Sequence, residues 1–236
     1  QLFILTISFL ISILNFYILY NIFFKRDDLK YHSEDLYLFL IFLSFTLIFY
    51  ILSSFNLLTV LVTVLSSIGN SGLSTTSIPS NYNLFFLVLT IIGGSVLSNT
   101  SGIKLIRIYI LIKAFFIEIY RLVKPNVILD SKIMISDKKI NKENIRITFL
   151  VFILFFLSLL ILSSILLVDT LDFESSFKLS ILTLTNTATS GIYGLEGVNF
   201  SNLFILSKIS LIIFMIIAKI ELLAVFLIIR KVLVRN

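Results

Sequence analysis

Three clusters of glycine and hydroxyl side chains interrupt the apolar runs of this chain: NSGLST at residues 70–75, GGSVLSNTSG at residues 93–102 and TSGIYG at residues 189–194. Such clusters offer backbone carbonyl and hydroxyl oxygens, which can replace the hydration shell of a cation. Glycine permits the backbone torsions that direct successive carbonyls to one point. The chemistry that they predict is coordination of an ion.

Residues suited to enzymatic chemistry are scarce. The chain contains no cysteine and one histidine, His32, which lies in the polar run KRDDLKYHSED. Thiolate chemistry and a cysteine–histidine metal site are therefore excluded. His32 is expected to be solvated, with pH sensing as the alternative. The pattern places no nucleophile and base, metal cluster or paired carboxylates in a shared pocket, so we predict neither an enzyme nor a bound cofactor.

The composition is that of an integral membrane protein. Hydrophobic residues make up 58% of the 236 residues, charged residues make up 14%, and the mean hydropathy is +1.08. Soluble domains have about 45–50% apolar and about 25% charged residues. Apolar runs long enough to span a bilayer as helices recur along the chain. We predict an all-α membrane protein whose crossings cover residues 2–24, 36–54, 83–120 (interrupted), 147–168 and 202–229.

Basic residues define the orientation. Residues 25–35, 121–146 and 230–236 hold 13 of the 19 Lys and Arg residues and are predicted to be cytoplasmic. Residues 55–82 and 169–201 are predicted to be external, which puts residue 1 outside and the C-terminus in the cytoplasm. Because this rule accounts for the positive charge, we do not expect nucleic-acid binding. The chain begins within an apolar run, so we expect it to be truncated at its start.

The two external connections look like copies of one unit, in which a half-length helix (residues 57–68 or 175–187) precedes a polar cluster around a glycine. An offset of 119 pairs Gly72 with Gly191. The helix dipoles would favour a cation at the C-terminal ends of the half-helices. The alternative is a pair of surface loops with amphipathic helices on the outer face. The predicted ion-binding residues are Asn70, Ser71, Gly72, Leu73, Thr189, Ser190, Gly191 and Ile192.

The second cluster breaks a membrane crossing. Residues 83–92 would span about 15 Å as a helix, which is half of the hydrocarbon core, so the polar loop begins near the midplane. Hydroxyl and amide groups of the loop can replace the missing helical hydrogen bonds, and also water around a passing ion. The offset of 119 puts Lys219 opposite Thr100. An intramembrane lysine is usually functional or paired, and pairing with Glu221 or with another partner is the alternative.

The order and spacing of IGNSGLSTTSI, GGSVLSNTSGIKLIR, TATSGIYG and AKIELLAVFLI resemble the Trk/Ktr/HKT superfamily of potassium and sodium transporters, in particular its bacterial TrkH-type subunit. Members of that family carry four helix, pore-loop, helix repeats. The resemblance implies that residues 1–30 are the last helix of a preceding repeat and that residues 31–124 are the third repeat. Residues 125–146 would be a cytoplasmic linker, and residues 147–236 the fourth repeat.

The resemblance also implies roles for residues around the broken helix. The family loop acts as a gate below the ion filter, and the final family helix carries an arginine where this chain has Lys219. The loop of this chain has fewer glycines than is usual in the family, which could make the gate stiffer. The residues that the resemblance assigns to the gate are Gly93, Gly94, Ser95, Ser98, Asn99, Thr100, Ser101, Gly102, Lys104, Lys219 and Glu221.

Further implications of the resemblance concern partners and location. One glycine in each filter segment is the family's potassium-type signature, so the expected ligand is K⁺ at the filter, with Na⁺ as a further transported ion. We expect a multi-pass protein of the cell inner (plasma) membrane that forms a homodimer. A cytosolic nucleotide-binding regulatory subunit is expected to dock on the basic stretch at residues 121–146, for which attraction to anionic lipid is the alternative.

These observations predict potassium uptake through glycine-centred pore loops, gated by the intramembrane loop. One alternative is a non-conducting membrane subunit or a truncated remnant of such a transporter, because two repeats cannot enclose a fourfold filter by themselves. Another is a carrier for a small organic solute that uses the broken helix as its binding site.

Overall fold

The computed structural model describes residues 2–16, 33–75, 78–96, 98–123, 132–133, 136–139, 142–169, 171–195 and 198–219. Within these ranges the fold is helical, as the sequence predicts, with repeated units of a helix, a re-entrant half-helix and a second helix. The α-helices are α1 (Leu2–Ile13), α2 (Ser33–Leu52), α3 (Leu57–Ile68), α4 (Asn83–Ile91), α5 (Leu105–Val123), α6 (Lys142–Leu167), α7 (Phe173–Leu184) and α8 (Ile205–Lys219). Short 3₁₀ turns cover Ser80–Tyr82, Gly191–Tyr193 and Phe200–Asn202.

Two pairs of very short strands accompany the helices. β1 (Ile92–Gly93) runs parallel to β2 (Ile103–Lys104), with Ile92 opposite Ile103. In the connection between α5 and α6, β3 (Lys132–Ile133) pairs antiparallel with β4 (Ser136–Lys139). The sequence analysis did not predict these strands. The first pair forms because the broken helix leaves backbone groups that must find partners inside the protein.

Two described helices are long and apolar enough to cross a membrane, judged by length and composition: residues Asp35–Leu52 of α2 and Glu143–Leu167 of α6. They match two of the predicted crossings. The interrupted crossing is the pair α4 and α5, which meet at the strands β1 and β2. The predicted first and last crossings are only partly covered, because residues 17–32 and 220–236 lie outside the described residues.

The half-helices α3 and α7 form the interior. Every residue of α3 from Val62 to Ile68 is buried, and so is every residue of α7 from Leu179 to Leu184. Three of their buried hydroxyls, those of Thr63, Ser67 and Thr183, donate to helix carbonyls four residues earlier at distances of 2.7–3.0 Å, so these three groups are satisfied without water. The longer helices present large apolar side chains outward, as expected for contact with lipid.

Contacts among the helices enclose this interior. α3 packs on α1, α2 and α4, while α7 packs on α6 and α8. The two units also touch, because α4 contacts both α7 and the turn Gly191–Tyr193. At the Tyr82 end of α4, the Tyr82 hydroxyl donates to the carbonyl of Leu52 at 2.7 Å, and the ring of Phe49 contacts Tyr82, Phe85 and Phe86. The fold therefore holds both half-helices and the broken crossing in one packed body.

Candidate ion site and gate

The two half-helices end in the same way. Asn70 is the second residue after α3 and has φ +56°, and Asn186 is the second residue after α7 and has φ +52°. In each unit the amide of the next residue, Ser71 or Thr187, donates to a carbonyl five residues earlier at 2.9 Å. Asparagine tolerates the left-handed conformation better than most residues do. The same backbone turn therefore closes both half-helices.

This correspondence corrects the predicted register of the internal repeat. Asn70 and Asn186 are 116 positions apart, and the bounds of α3 and α7 differ by the same number. The offset of 119 is therefore wrong, and the counterpart of Gly72 is Ala188 rather than Gly191. Matching glycine to glycine misplaced the unit that contains α7, because that unit has no glycine at this position.

Gly72 lies directly against the other unit. It has φ +69°, and a Cβ atom there would lie 2.3 Å from the carbonyl oxygen of Ala188 and 2.8 Å from the Cγ2 atom of Thr187. Glycine is required at this position for both reasons: the backbone is left-handed and the neighbouring backbone occupies the space of a side chain. The structure thus brings Asn70, Ser71 and Gly72 together with Thr187 and Ala188.

The residues predicted to bind the ion in the unit of α7 lie further along the chain. Thr189 is exposed, Ser190 is partly buried, and Gly191 begins the 3₁₀ turn Gly191–Tyr193. Ile192, in the same turn, is fully buried. In the unit of α3 the predicted residue Leu73 is exposed. Binding of an ion by these residues stays a prediction.

The loop between α4 and α5 is closed on itself. The Gly94 amide donates to the Thr100 hydroxyl at 2.7 Å, and the Ser98 hydroxyl donates to the Ser95 carbonyl at 2.7 Å. A Cβ atom on Gly93 would lie 2.4 Å from the Ser101 carbonyl oxygen, so β1 and the end of the loop are in close contact. Gly102, with φ +76°, turns the chain into β2.

The loop is also tied to neighbouring helices. The Ser95 amide donates to the carbonyl of Ile13, just at the end of α1, at 3.2 Å. The Asn70 side-chain amide donates to the carbonyl of Thr90 in α4 at 2.8 Å. Asn186 is the corresponding residue after α7. Its side-chain amide donates to the carbonyl of Met215 at 3.0 Å and lies 3.4 Å from the Ser101 hydroxyl. The segments that follow the two half-helices are therefore directly connected to the broken crossing.

Two lysines reach the loop from different elements. Lys104, in β2, is 6% exposed, and its ammonium donates to the Thr100 carbonyl at 2.6 Å. Lys219, at the end of α8, is exposed and donates to the carbonyl and the side-chain oxygen of Asn99 at 2.8 and 3.1 Å. The sequence analysis placed Lys219 near Thr100 through the wrong offset. Glu221, its predicted alternative partner, lies outside the described residues.

A polar cavity of about 210 Å³ lies beside the loop. It extends from the loop to Leu184, the last residue of α7, and to Ala218 and Lys219 of α8. The loop side of the cavity is lined by Ser98, Asn99, Thr100, Ser101, Lys104 and the nearby Arg107. The space next to the C-terminal end of a half-helix is therefore bordered by hydroxyls, carbonyls and three cationic side chains.

Sequence reasoning missed several residues of this arrangement. It did not select Asn186, Thr187 or Ala188, although these residues contact the loop or the segment that follows α3. The asparagine two positions beyond each half-helix was the signal that could have found them. The hydrogen bond from Ser95 to Ile13 could not be predicted from residue types, because it joins two backbone groups and every residue carries a backbone carbonyl.

Comparison with known proteins agrees with this architecture. No protein-family model matches the chain. An uncharacterised cation transporter of Methanocaldococcus jannaschii is 33% identical over 101 residues, which make up 42% of this chain and 21% of that protein. The crystal structure of the potassium transporter TrkH from Vibrio parahaemolyticus superposes with a TM-score of 0.79 at 22% identity, covering 94% of this chain and 50% of that one.

The class defined by the fold is that of a helical membrane protein with re-entrant half-helices and a broken crossing. More particularly, the chain shares its fold with the solved potassium transporter TrkH. It spans half the length of the solved TrkH chain and a fifth of the length of the curated relative.

Proposed function

We propose that the full-length protein transports K⁺, or another monovalent cation, across the membrane along a path lined by the two filter segments. The observation that carries this proposal is the contact of Gly72 with Thr187 and Ala188, which unites the ends of the two half-helices. The helix dipoles direct partial negative charge to this point, and backbone carbonyls supply ligands for a dehydrated cation. No enzymatic step is part of the proposal.

The remaining parts have roles in the same proposal. Residues 31–124 and 147–236 are the third and fourth of four pore units, and two further units complete the path around the ion. The loop that contains Ser98 and Thr100 is the gate, and Lys219 holds it closed through Asn99. The protein lies in the cell membrane with its C-terminus in the cytoplasm, functions as a homodimer, and is regulated by a cytosolic nucleotide-binding subunit.

Uptake of ⁸⁶Rb⁺ into proteoliposomes that contain the full-length protein tests the proposal. Gly72→Val should abolish uptake, because a β-branched residue fits neither the left-handed backbone nor the space beside Ala188. The matched control is Leu84→Val, since Leu84 is 74% exposed on the apolar surface of α4 and contributes to neither the filter nor the loop. It should retain uptake.

Two results would contradict the proposal. Full uptake by Gly72→Val would remove this segment from the ion path. Lack of uptake by the wild-type protein, when it is folded and oriented in the vesicles together with its regulatory partner, would favour a non-conducting subunit.

A further inference from the structure

The ammonium group of Lys104 is surrounded by oxygen atoms of the loop. It lies 2.6 Å from the carbonyl oxygen of Thr100 and 3.2 Å from that of Ser98. The hydroxyl oxygens of the same two residues lie at 3.2 Å for Ser98 and 3.4 Å for Thr100. Together these four oxygens form an oxygen cage around the ammonium. A lysine this deeply buried in a membrane protein is stable only with such partners.

The hydroxyl protons of the cage point away from the ammonium. The Ser98 hydroxyl donates to the Ser95 carbonyl at 2.7 Å, so the 2.8 Å contact between the Ser98 and Thr100 hydroxyls must be donated by Thr100. The Thr100 oxygen in turn accepts the Gly94 amide at 2.7 Å. Both hydroxyls therefore present lone pairs to Lys104. These bonds hold the two hydroxyls in place without any contribution from the lysine.

We propose that the oxygen cage is a monovalent-cation site, and that Lys104 occupies it as a tethered ion when the loop is closed. An ammonium group and a potassium ion carry the same charge and are similar in size, and carbonyl and hydroxyl oxygens are ligands for both. Two cations cannot share the cage, because their repulsion in a buried site is large. A transported ion enters only when the ammonium withdraws.

The position of the cage gives this exchange a role in transport. Ser98, Thr100 and Lys104 line the 210 Å³ cavity that reaches Leu184 at the end of α7. A cation that leaves the filter segments on this side therefore meets a cage that the ammonium already occupies. The inference rests on the proposed function for its part in transport, while binding of a cation to the cage can be measured by itself.

The test counts thallium(I) ions bound per chain by equilibrium dialysis of the full-length protein in detergent. Lys104→Met keeps the length of the side chain and removes the charge, so it should bind one more Tl⁺ per chain than the wild type. Adding Ser98→Ala to this variant removes one cage oxygen and should weaken the additional site at least fivefold. The control is Lys208→Met, because Lys208 also donates to a carbonyl, that of Ser201 at 2.8 Å, but outside the cage. It should bind as many ions as the wild type.

A second measurement covers the case in which Lys104→Met folds poorly. The melting temperature of that variant should rise more on exchange of choline chloride for rubidium chloride than the melting temperature of the wild type does. Equal thallium counts for Lys104→Met and wild type, or equal shifts on exchange of choline for rubidium, would overturn the inference. Absence of rubidium uptake by the wild type would refute the proposed function and leave the thallium count as an independent result.

Discussion

Replacing Asn70 should loosen the junction between the segment that follows α3 and the broken crossing. Asn70 is 7% exposed and donates to the carbonyl of Thr90 at 2.8 Å. The helix cannot supply another donor, because α4 ends at Ile91 and the Gly94 amide donates to Thr100. Asn70→Gly keeps the backbone at φ +56° but leaves this buried carbonyl without its donor, at a cost of about 1–3 kcal/mol.

A second substitution separates the hydrogen bond from the backbone conformation. Asn70→Ala loses the same hydrogen bond. It also forces alanine, which has a Cβ atom and no side-chain amide, into the left-handed conformation, and this lowers the free energy of unfolding by about 1–2 kcal/mol more. The expected order of stability is wild type, then Asn70→Gly, then Asn70→Ala. The whole series should span about 2–5 kcal/mol.

The assay is denaturant unfolding of the full-length protein in detergent, followed by circular dichroism. Asn186, the residue that corresponds to Asn70 after α7, provides the control, because it has nearly the same φ of +52° but is only partly buried. Asn186→Gly should therefore cost less than Asn70→Gly, at about 1 kcal/mol or below. Equal stability of wild type and Asn70→Gly would refute the role given to the hydrogen bond, and equal stability of the Gly and Ala variants would refute the role given to the left-handed backbone.

Three other predictions concern the gate and the core. Lys219→Met removes both hydrogen bonds to Asn99 and should raise ⁸⁶Rb⁺ uptake without activator about fivefold, since an exposed charged contact contributes about 1 kcal/mol to closure of the loop; unchanged uptake would contradict this. Gly94→Ala would place a Cβ atom 2.6 Å from the Ile13 carbonyl oxygen and should lower the melting temperature by several degrees, whereas an unaltered melting curve would show that the loop does not press on α1. Phe49→Ala should cost about 3–5 kcal/mol in denaturant unfolding because Phe49 is 1% exposed, while Phe115→Ala, at a residue 63% exposed, should cost much less; similar losses would contradict the packing described here.

The bounds of a helix could be predicted from the sequence where an apolar run stops abruptly at polar residues. The half-helix predicted at residues 57–68 is observed as Leu57–Ile68, because an apolar run of that length stops at the polar residues around Gly69. The helix predicted at residues 83–92 is observed as Asn83–Ile91, for the same reason. The second half-helix was predicted at residues 175–187 and is observed as Phe173–Leu184. It ends earlier because the turn at Asn186 closes it, which hydropathy does not report.

The register of the two units and the burial of Lys104 could not be predicted from the sequence, because both depend on long-range contacts. The register of the two units is defined by the left-handed asparagines and not by the glycines, so Ala188 and not Gly191 is the counterpart of Gly72. The burial of Lys104 in the loop follows from the pairing of β1 with β2, which brings distant backbone segments together. Long-range pairing of two-residue strands leaves no periodic pattern in a sequence.

The central claim, that the two polar segments line one ion path, is tested most directly by ion protection of single cysteines. Leu73→Cys and Thr189→Cys place thiols at exposed positions of the two segments, and residues 1–236 contain no cysteine. Any cysteine elsewhere in the full-length protein is replaced by serine for this experiment. Modification by a charged methanethiosulfonate reagent added from outside is then timed in Rb⁺ and in choline. The account predicts that Rb⁺ slows modification at both positions and that choline does not. Equal rates in the two salts at both positions would contradict it.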